Sequence, residues 1–429
     1  MRRASGDVGC KERPRIRDAV HQHLILPICN RIHANVRVTA PNPDIVSAQF
    51  SGSRTRPGVR KQMLQNPPTH VRSILILQTK FIGDLVLASA LASNLRLQYP
   101  RARVVFLCEA SFASFLVAHG IASDVVAFRR VRMRGTPLER GRELYAMVRA
   151  LRRFRFDLTI DLADSKTSRI IVRLVNAKTR VGYDPPEKPL RWLERQPANV
   201  LAKPFGFGGQ HYLYRYLSPL EALGVELRAQ VPTIQPLPLE TARTLALLDR
   251  HHLRRNAFIA VHAGASFRGR QWQPERFALA IDEISRQTGL DFLLVGGPDE
   301  RASAERVIAK AASPIVNMVG ALSLATLLAV LGQARLFLGN ESGPMHMAAA
   351  AGTPVVGLFG LTDPAVWGPV GVANVTLRPS MPCECIARDL CRRPDPSKAC
   401  CVWRLEVKAV VDAVRAILSR TVKDVEHAL

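Results

Sequence analysis

Two things are missing from this 429-residue chain: no apolar run approaches the roughly 18 residues that span a bilayer, and no G-x-G-x-x-G or Walker A glycine loop occurs. The first absence excludes a spanning helix. Leu24-Ile25-Leu26-Pro27-Ile28 is too short for one, and no signal-peptide pattern with a small-residue cleavage site precedes it, so the protein is expected to stay in the cytoplasm. The second absence argues against a dehydrogenase and against a P-loop enzyme. Acidic side chains are also scarce, 35 Asp and Glu against 60 Lys and Arg, and the resulting net charge of +25 calls for an anionic partner: nucleic acid, acidic lipid or a phosphorylated sugar. Aromatic residues make up only 6% and do not interleave with the basic runs, which leaves few stacking platforms for bases and makes nucleic acid the weaker candidate. Cysteine is not scarce, with eight residues, but a chain of this size with 47% hydrophobic content needs no disulfide staples.

What is present is an alternation of short apolar strands with helical segments, the pattern of a parallel sheet covered by helices. Residues 1–70 stand apart, with twelve Lys and Arg against four Asp and Glu and no sustained apolar period, and are expected to lack stable order. Met63 is an alternative start, and a basic arm for membrane or nucleic acid is the functional meaning such a segment could carry. From Ser73 the alternation runs through strands at 74–77, 104–107, 124–128, 158–162 and 179–183, with helices over 84–97, 139–154, 165–176 and 211–223. A proline-punctuated stretch over 231–238 suits an interdomain connection. Strands then return at 258–262, 292–295, 334–338 and 355–360, with helices over 274–287, 300–312 and 345–351. The expected architecture is two doubly wound Rossmann-like domains, 71–230 and 231–403, facing across a cleft, closed by a helix over 404–429 that packs across both.

Three strand-to-helix junctions carry chemistry. Gly339-Asn340-Glu341-Ser342-Gly343-Pro344-Met345-His346 joins a strand to a helix whose early N–H groups, at Ser342, Gly343 and Met345, are placed to cradle phosphate. The commoner meaning of such spacing is a capped helix, with Ser342 as the cap and Glu341 complementing the dipole. Likewise Gly83-Asp84 ends the first strand, where Asp84 is most simply a cap. After the strand ending at His262, the loop through Ser266 and Arg270 offers a hydroxyl and a guanidinium to phosphate oxygens, although basic solvated loops are frequent in so basic a chain. A lone histidine such as His346 is more often packed than a ligand. Cys383, Cys385, Cys391, Cys400 and Cys401 crowd together in a spacing that matches no standard zinc pattern.

Taken together and in this order, the three junctions and the continuation Leu361-Thr362-Asp363-Pro364 resemble the signatures of glycosyltransferase family 9, the ADP-heptose:lipopolysaccharide heptosyltransferases. The resemblance covers roughly residues 72–420 and is weakest over 130–240. It implies a GT-B enzyme with an N-terminal acceptor domain and a C-terminal donor domain, which moves a heptose from a nucleotide-diphosphate sugar, ADP-heptose foremost, to an anionic glycolipid with inversion. Asp84 matches the family's catalytic base, Arg270 stands where a lysine usually meets the donor diphosphate, and Glu341 replaces the usual Asp. Donor contacts would then come from Ser266, Arg270, Glu341, Ser342, Gly343, Met345 and His346, with no metal or other cofactor, and peripheral contact with the inner face of the membrane would bring the acceptor within reach. A nucleotide-sugar epimerase of similar architecture and a basic nucleic-acid-binding protein are the alternatives.

Overall fold

The computed structural model describes residues 35–39, 64–129, 135–184, 197–203, 210–360, 362–379 and 402–426. The first described element, β1 (Asn35–Thr39), is an edge strand of the second of two sheets. The first sheet is wholly parallel and consists of β2 (Ser73–Leu77), β3 (Arg103–Glu109), β4 (Asp124–Phe128), β5 (Leu158–Asp161), β6 (Thr179–Tyr183) and β7 (Val200–Ala202), ordered β4-β3-β2-β5-β6-β7. The second repeats this winding with β8 (Phe258–His262), β9 (Asp291–Leu294), β10 (Ile315–Asn317), β11 (Leu336–Asn340), β12 (Val355–Leu358) and β13 (Asn374–Arg378), ordered β1-β13-β12-β11-β8-β9-β10. Each sheet therefore reverses its winding once, between β2 and β5 and between β8 and β11, and ligands of such sheets bind beyond the carboxyl ends at that reversal.

The connecting helices are α1 (Ile82–Gln98), α2 (Ala113–Ala118), α3 (Pro137–Arg152), α4 (Lys166–Val175), α5 (Leu213–Leu223), α6 (Pro238–Arg250), α7 (Pro274–Thr288), α8 (Arg301–Ile308), α9 (Leu324–Leu331), α10 (Gly343–Ala350), α11 (Pro364–Trp367) and α12 (Val407–Glu426). Strand alternation decides which face each residue serves. Leu75, Leu77, Val105 and Leu107 pack with Met147, Leu151 and Val172 of α3 and α4, while Ile74, Ile76, Val104 and Phe106 face the side of α1 and α5. That second cluster runs on without a break into Phe258, Phe337, Val355 and the Met345 and Ala348 side chains of α10, so the two sheets share one apolar seam. Fully buried parallel strands explain why their sequences read as continuous apolar runs.

Two elements bear on the expected domain boundaries. Residues 35–39 lie within the segment expected to lack order, yet they form β1, antiparallel to β13 with Val36 opposite Leu377 and Val38 opposite Val375. The alternation of this short segment matches an open sheet edge, and a five-residue strand is too brief to register as a sustained period. Within the described part of the C-terminal helix, Val410, Val411, Val414 and Ile417 of α12 pack into the second sheet's own core beside Phe277 and Ile281 of α7 and Val375 of β13. Its apolar stripe matches the one sheet face that α7 and α8 leave open. The cysteine cluster over 383–401 lies outside the described residues.

Candidate active site

The chain winding brings all three junctions to one place, the carboxyl ends of β2, β8 and β11 at the seam between the sheets. Asp84 lies in the first turn of α1 but does not cap it. The N-cap is Phe81, held at φ 50°, and no side chain makes a capping bond there. A positive φ is costly for a bulky residue and persists where its surroundings impose it. With the cap position taken, the Asp84 carboxylate faces α5, and its Oδ1 accepts the Tyr216 hydroxyl at 2.9 Å. Burial pushes Asp84 up to about 6 from the ordinary carboxylate range; the Tyr216 bond and the charges of Arg215, Lys80 and Arg270 pull in the opposite direction. Arg270 belongs to the second domain, so its charge acts on Asp84 across the cleft.

Arg215 and Tyr216 were not singled out from the sequence. Three of the chain's six tyrosines fall at Tyr212, Tyr214 and Tyr216, and the i, i+4 spacing of the outer two on a helix was the available signal. The Arg215 guanidinium lies 4.5 Å from the centre of the Tyr183 ring and donates to the Leu162 carbonyl at 2.9 Å. Tyr212 stacks on Trp367 of the second domain at 3.8 Å between ring centres, and its N–H donates to the Val366 carbonyl at 2.8 Å. His211 donates from Nε2 to the Gly368 carbonyl at 2.9 Å, and burial lowers its pKa to about 4. The helix that holds Asp84 in place is thus itself pinned to the facing domain.

On the second domain's side, Arg270 lies on the loop after β8, partly exposed, with Nη1 3.4 Å from Oε1 of buried Glu341. The other Glu341 oxygen accepts the Thr362 hydroxyl. Ser266 is exposed on the same loop. Asn340, also missed in the sequence, fixes the loop to β11: its Oδ1 accepts the Trp272 N–H at 2.9 Å, and its amide donates to the Ala263 and Gly264 carbonyls at 3.0 and 3.2 Å.

Ser342 occupies the N-cap position of α10 but makes no capping bond, and its Oγ lies 3.0 Å from His262 Nδ1. The head of α10 is therefore free of a side-chain cap, and its N–H groups at Gly343 and Met345 carry the positive end of the helix dipole. The Met345 side chain is buried in the seam, so only its backbone can serve a ligand. Gly343 is packed so closely that a Cβ would fall 2.2 Å from Ile82 Cγ2, and a Cβ on Gly83 would stand 3.1 Å from the His346 ring. Small residues at both helix heads let α1 and α10 cross at backbone distance. His346 is buried there, and burial, with the neighbouring His211, lowers its pKa to about 3 and keeps it neutral.

The geometry can thus offer a carboxylate held by a phenol on one wall, and a guanidinium with an uncapped helix head on the other. A family model described as glycosyltransferase family 9 (heptosyltransferase) matches residues 144–393, which include Arg270 and the head of α10 but not Asp84. Lipopolysaccharide heptosyltransferase 3 of Escherichia coli is 25% identical over 293 residues, 68% of this chain and 84% of that protein. Among solved structures, the glycosyl transferase family 9 protein from Veillonella parvula superposes with a TM-score of 0.68 at 18% identity, over 81% of this chain and 98% of that one. The E. coli heptosyltransferase WaaC with ADP gives 0.59 at 20% identity, over 80% and 99%. Both share the fold of two facing doubly wound domains.

Proposed function

We propose that this chain, which belongs to glycosyltransferase family 9 (heptosyltransferase), moves a heptose from ADP-heptose to the core of lipopolysaccharide, inverting the anomeric centre. The observation that carries the reading is geometric: the head of α1, which bears Asp84, meets the head of α10 at backbone distance, a Cβ on Gly83 falling 3.5 Å from Gly343 Cα. A base and a diphosphate site must flank the sugar from opposite sides if the acceptor is to attack opposite the leaving group. These relatives lend no support to the epimerase or the nucleic-acid reading.

In this mechanism Asp84 takes the proton of an acceptor hydroxyl as that oxygen attacks the anomeric carbon. Its raised pKa makes it a stronger base than an ordinary carboxylate, and Tyr216 fixes the orientation of its acceptor oxygen. Charge developing on the departing diphosphate meets the Arg270 guanidinium and the N–H groups at the head of α10. Glu341, which pairs with Arg270 and Thr362, holds the guanidinium in position and faces the hydroxyls of the donor. Ser266 supplies a hydroxyl at the rim of the cradle, and His346 fills the crossing of α1 and α10 behind it.

We place the enzyme in the cytoplasm at the inner face of the membrane, where a glycolipid acceptor is reached by peripheral contact. No helix among the described residues is long and apolar enough to cross a membrane. The outward face of α3 carries exposed Leu138, Arg142, Tyr145 and Arg149 at helical spacing, a surface suited to acidic headgroups. The test of the activity is incubation with ADP-heptose and core oligosaccharide from a heptose-deficient strain, followed by mass spectrometry. A product heavier by one heptose is expected. Transfer only from a different nucleotide sugar, or none to any core acceptor, would overturn the assignment.

A further inference from the structure

Behind the head of α10 a line of three polar side chains leads away from the cleft. The Glu300 carboxylate accepts the Gly297 N–H at 2.7 Å, and its Oε2 lies 3.0 Å from His262 Nε2; His262 Nδ1 in turn lies 3.0 Å from Ser342 Oγ. Burial alone would raise Glu300, but the hydrogen bonds from His262 and the Gly297 N–H bring it below the usual range, so it is a carboxylate and can only accept. Nε2 of His262 must then carry a proton. Nδ1 is left with two arrangements. In a neutral imidazole it accepts the Ser342 hydroxyl proton; in an imidazolium it donates to Ser342 Oγ, and the hydroxyl proton turns elsewhere.

Only the second arrangement suits an anion. Ser342 is the N-cap residue of α10, so a phosphate at the helix head lies within reach of its hydroxyl, yet that hydroxyl has its one proton committed to His262 while the ring is neutral. We propose that His262 and Glu300 form a proton-linked positioning relay: binding of the donor diphosphate draws a proton onto His262 Nδ1, which turns the Ser342 hydroxyl round to donate to a phosphate oxygen. One proton is taken from solvent and no bond other than N–H is formed. The inference rests on the placing of the donor diphosphate at α10, and it adds two residues to that site, neither of which touches the sugar. Other charged groups on the elements meeting around His262 are Arg270 and Glu341 on their loops and Arg301 at the start of α8; His346 in α10 stays neutral.

The relay is read by calorimetric titration with ADP-heptose, whose diphosphate has no ionisation near neutrality, in buffers of different ionisation enthalpy. The Asp84→Asn background removes the carboxylate raised to about 6 and slows turnover, and Asp161, which burial pushes up to about 7, is common to every variant, so uptake is read as the difference between this background and His262→Gln made within it. Proton uptake between zero and one per donor is expected near pH 7, with the Kd rising by at most tenfold per pH unit as the pH increases. His262→Gln keeps a donor toward Glu300 but has no site for a second proton, and Ser342→Ala removes the hydroxyl without removing a capping bond. Both should abolish uptake, flatten the pH dependence, and weaken binding at pH 6 by roughly ten- to a hundredfold. Uptake that is absent in the background protein, or that persists undiminished in His262→Gln, overturns the relay. Failure of ADP-heptose to bind at all would instead overturn the donor assignment.

Discussion

The Tyr216 hydroxyl donates to Asp84 Oδ1 at 2.9 Å, and both residues sit on helices that meet the facing domain, α1 through Gly83 and α5 through the neighbouring Tyr212 and His211. The protonation of the candidate base is therefore set by the same contacts that hold the cleft together. In the proposed mechanism the ionised carboxylate is the base, so kcat/KM should fall as pH drops through about 6. Tyr216→Phe keeps the ring but removes a donor that favours the charged form, so the acid limb should move upward by about one to two pH units. A pH–rate profile checks this, and an unmoved limb would mean that Asp84 is not the group being titrated.

Replacing Asp84 itself separates chemistry from folding. Asp84→Asn cannot take a proton, and transfer should fall by roughly 10² to 10⁴ while ADP binding survives. Stability should move the other way. A carboxyl whose pKa is raised from 3.8 in the unfolded chain to about 6 in the fold costs stability as pH rises through that interval, and the full cost is present above it. At pH 7.5 the variant should therefore be more stable by about 1 to 2 kcal/mol, somewhat less than the shift alone implies because the Tyr216 bond weakens. At about pH 3, below the unfolded value of 3.8, the two proteins should melt together. Normal transfer by the variant would remove Asp84 from the chemistry.

How far the sequence foretold this site depends on what each residue does. Asp84, Arg270 and Ser342 stand at strand ends, and alternation of strand and helix is enough to place them at the carboxyl edge of a parallel sheet. That Asp84 is not a cap was not legible, because it depends on Phe81 taking a positive φ, which no propensity favours. Tyr216, Asn340 and His262 were passed over for a common reason. Each acts through a partner at least 68 positions away in sequence, and such pairings are set by sheet order rather than by local pattern. The edge strand β1 was missed because its partner, β13, lies more than three hundred residues away.

In the proposed donor site Arg270 would meet the diphosphate while it pairs with Glu341, so truncating it affects both. Arg270→Ala should weaken ADP binding by about 1.5 to 3 kcal/mol, the scale of a charged hydrogen bond, and leaves the buried Glu341 without its cation. Arg270→Lys should recover charge but not the two-pronged geometry, and so fall between. Calorimetric titration with ADP is the measurement, and an affinity unchanged in Arg270→Ala would exclude the residue from the site.

Asn340 satisfies three backbone groups of the loop that carries Arg270. Asn340→Ala leaves a buried N–H and two carbonyls without their partner and should lower unfolding free energy by about 2 to 4 kcal/mol. Urea denaturation gives the cost. Loss of ADP affinity should accompany it, because Asn340 ties both the start of the loop, at Ala263 and Gly264, and its end, at Trp272, to β11. A change below about 0.5 kcal/mol would show that the loop is organised by other contacts.

The crossing of α1 and α10 offers the most direct test of whether domain approach serves chemistry apart from binding. A methyl on Gly343 would fall 2.2 Å from Ile82 Cγ2, and the branched Ile82 side chain on a helix has little rotamer freedom to move away. Parting the two helix heads relieves the strain and moves Asp84 away from the α10 cradle. Gly343→Ala adds no atom to the Arg270 side of the site, so ADP should still bind within a few-fold of wild type. Transfer needs base and donor within reacting distance, where a displacement of about 1 Å can cost 10²-fold, so kcat should fall by one to two orders of magnitude. Ile82→Ala clears the space, and the double variant should recover much of the lost rate, a coupling that independent sites would not show. Loss of ADP binding and transfer in equal measure would place the effect in the cradle itself instead of in the approach of the domains.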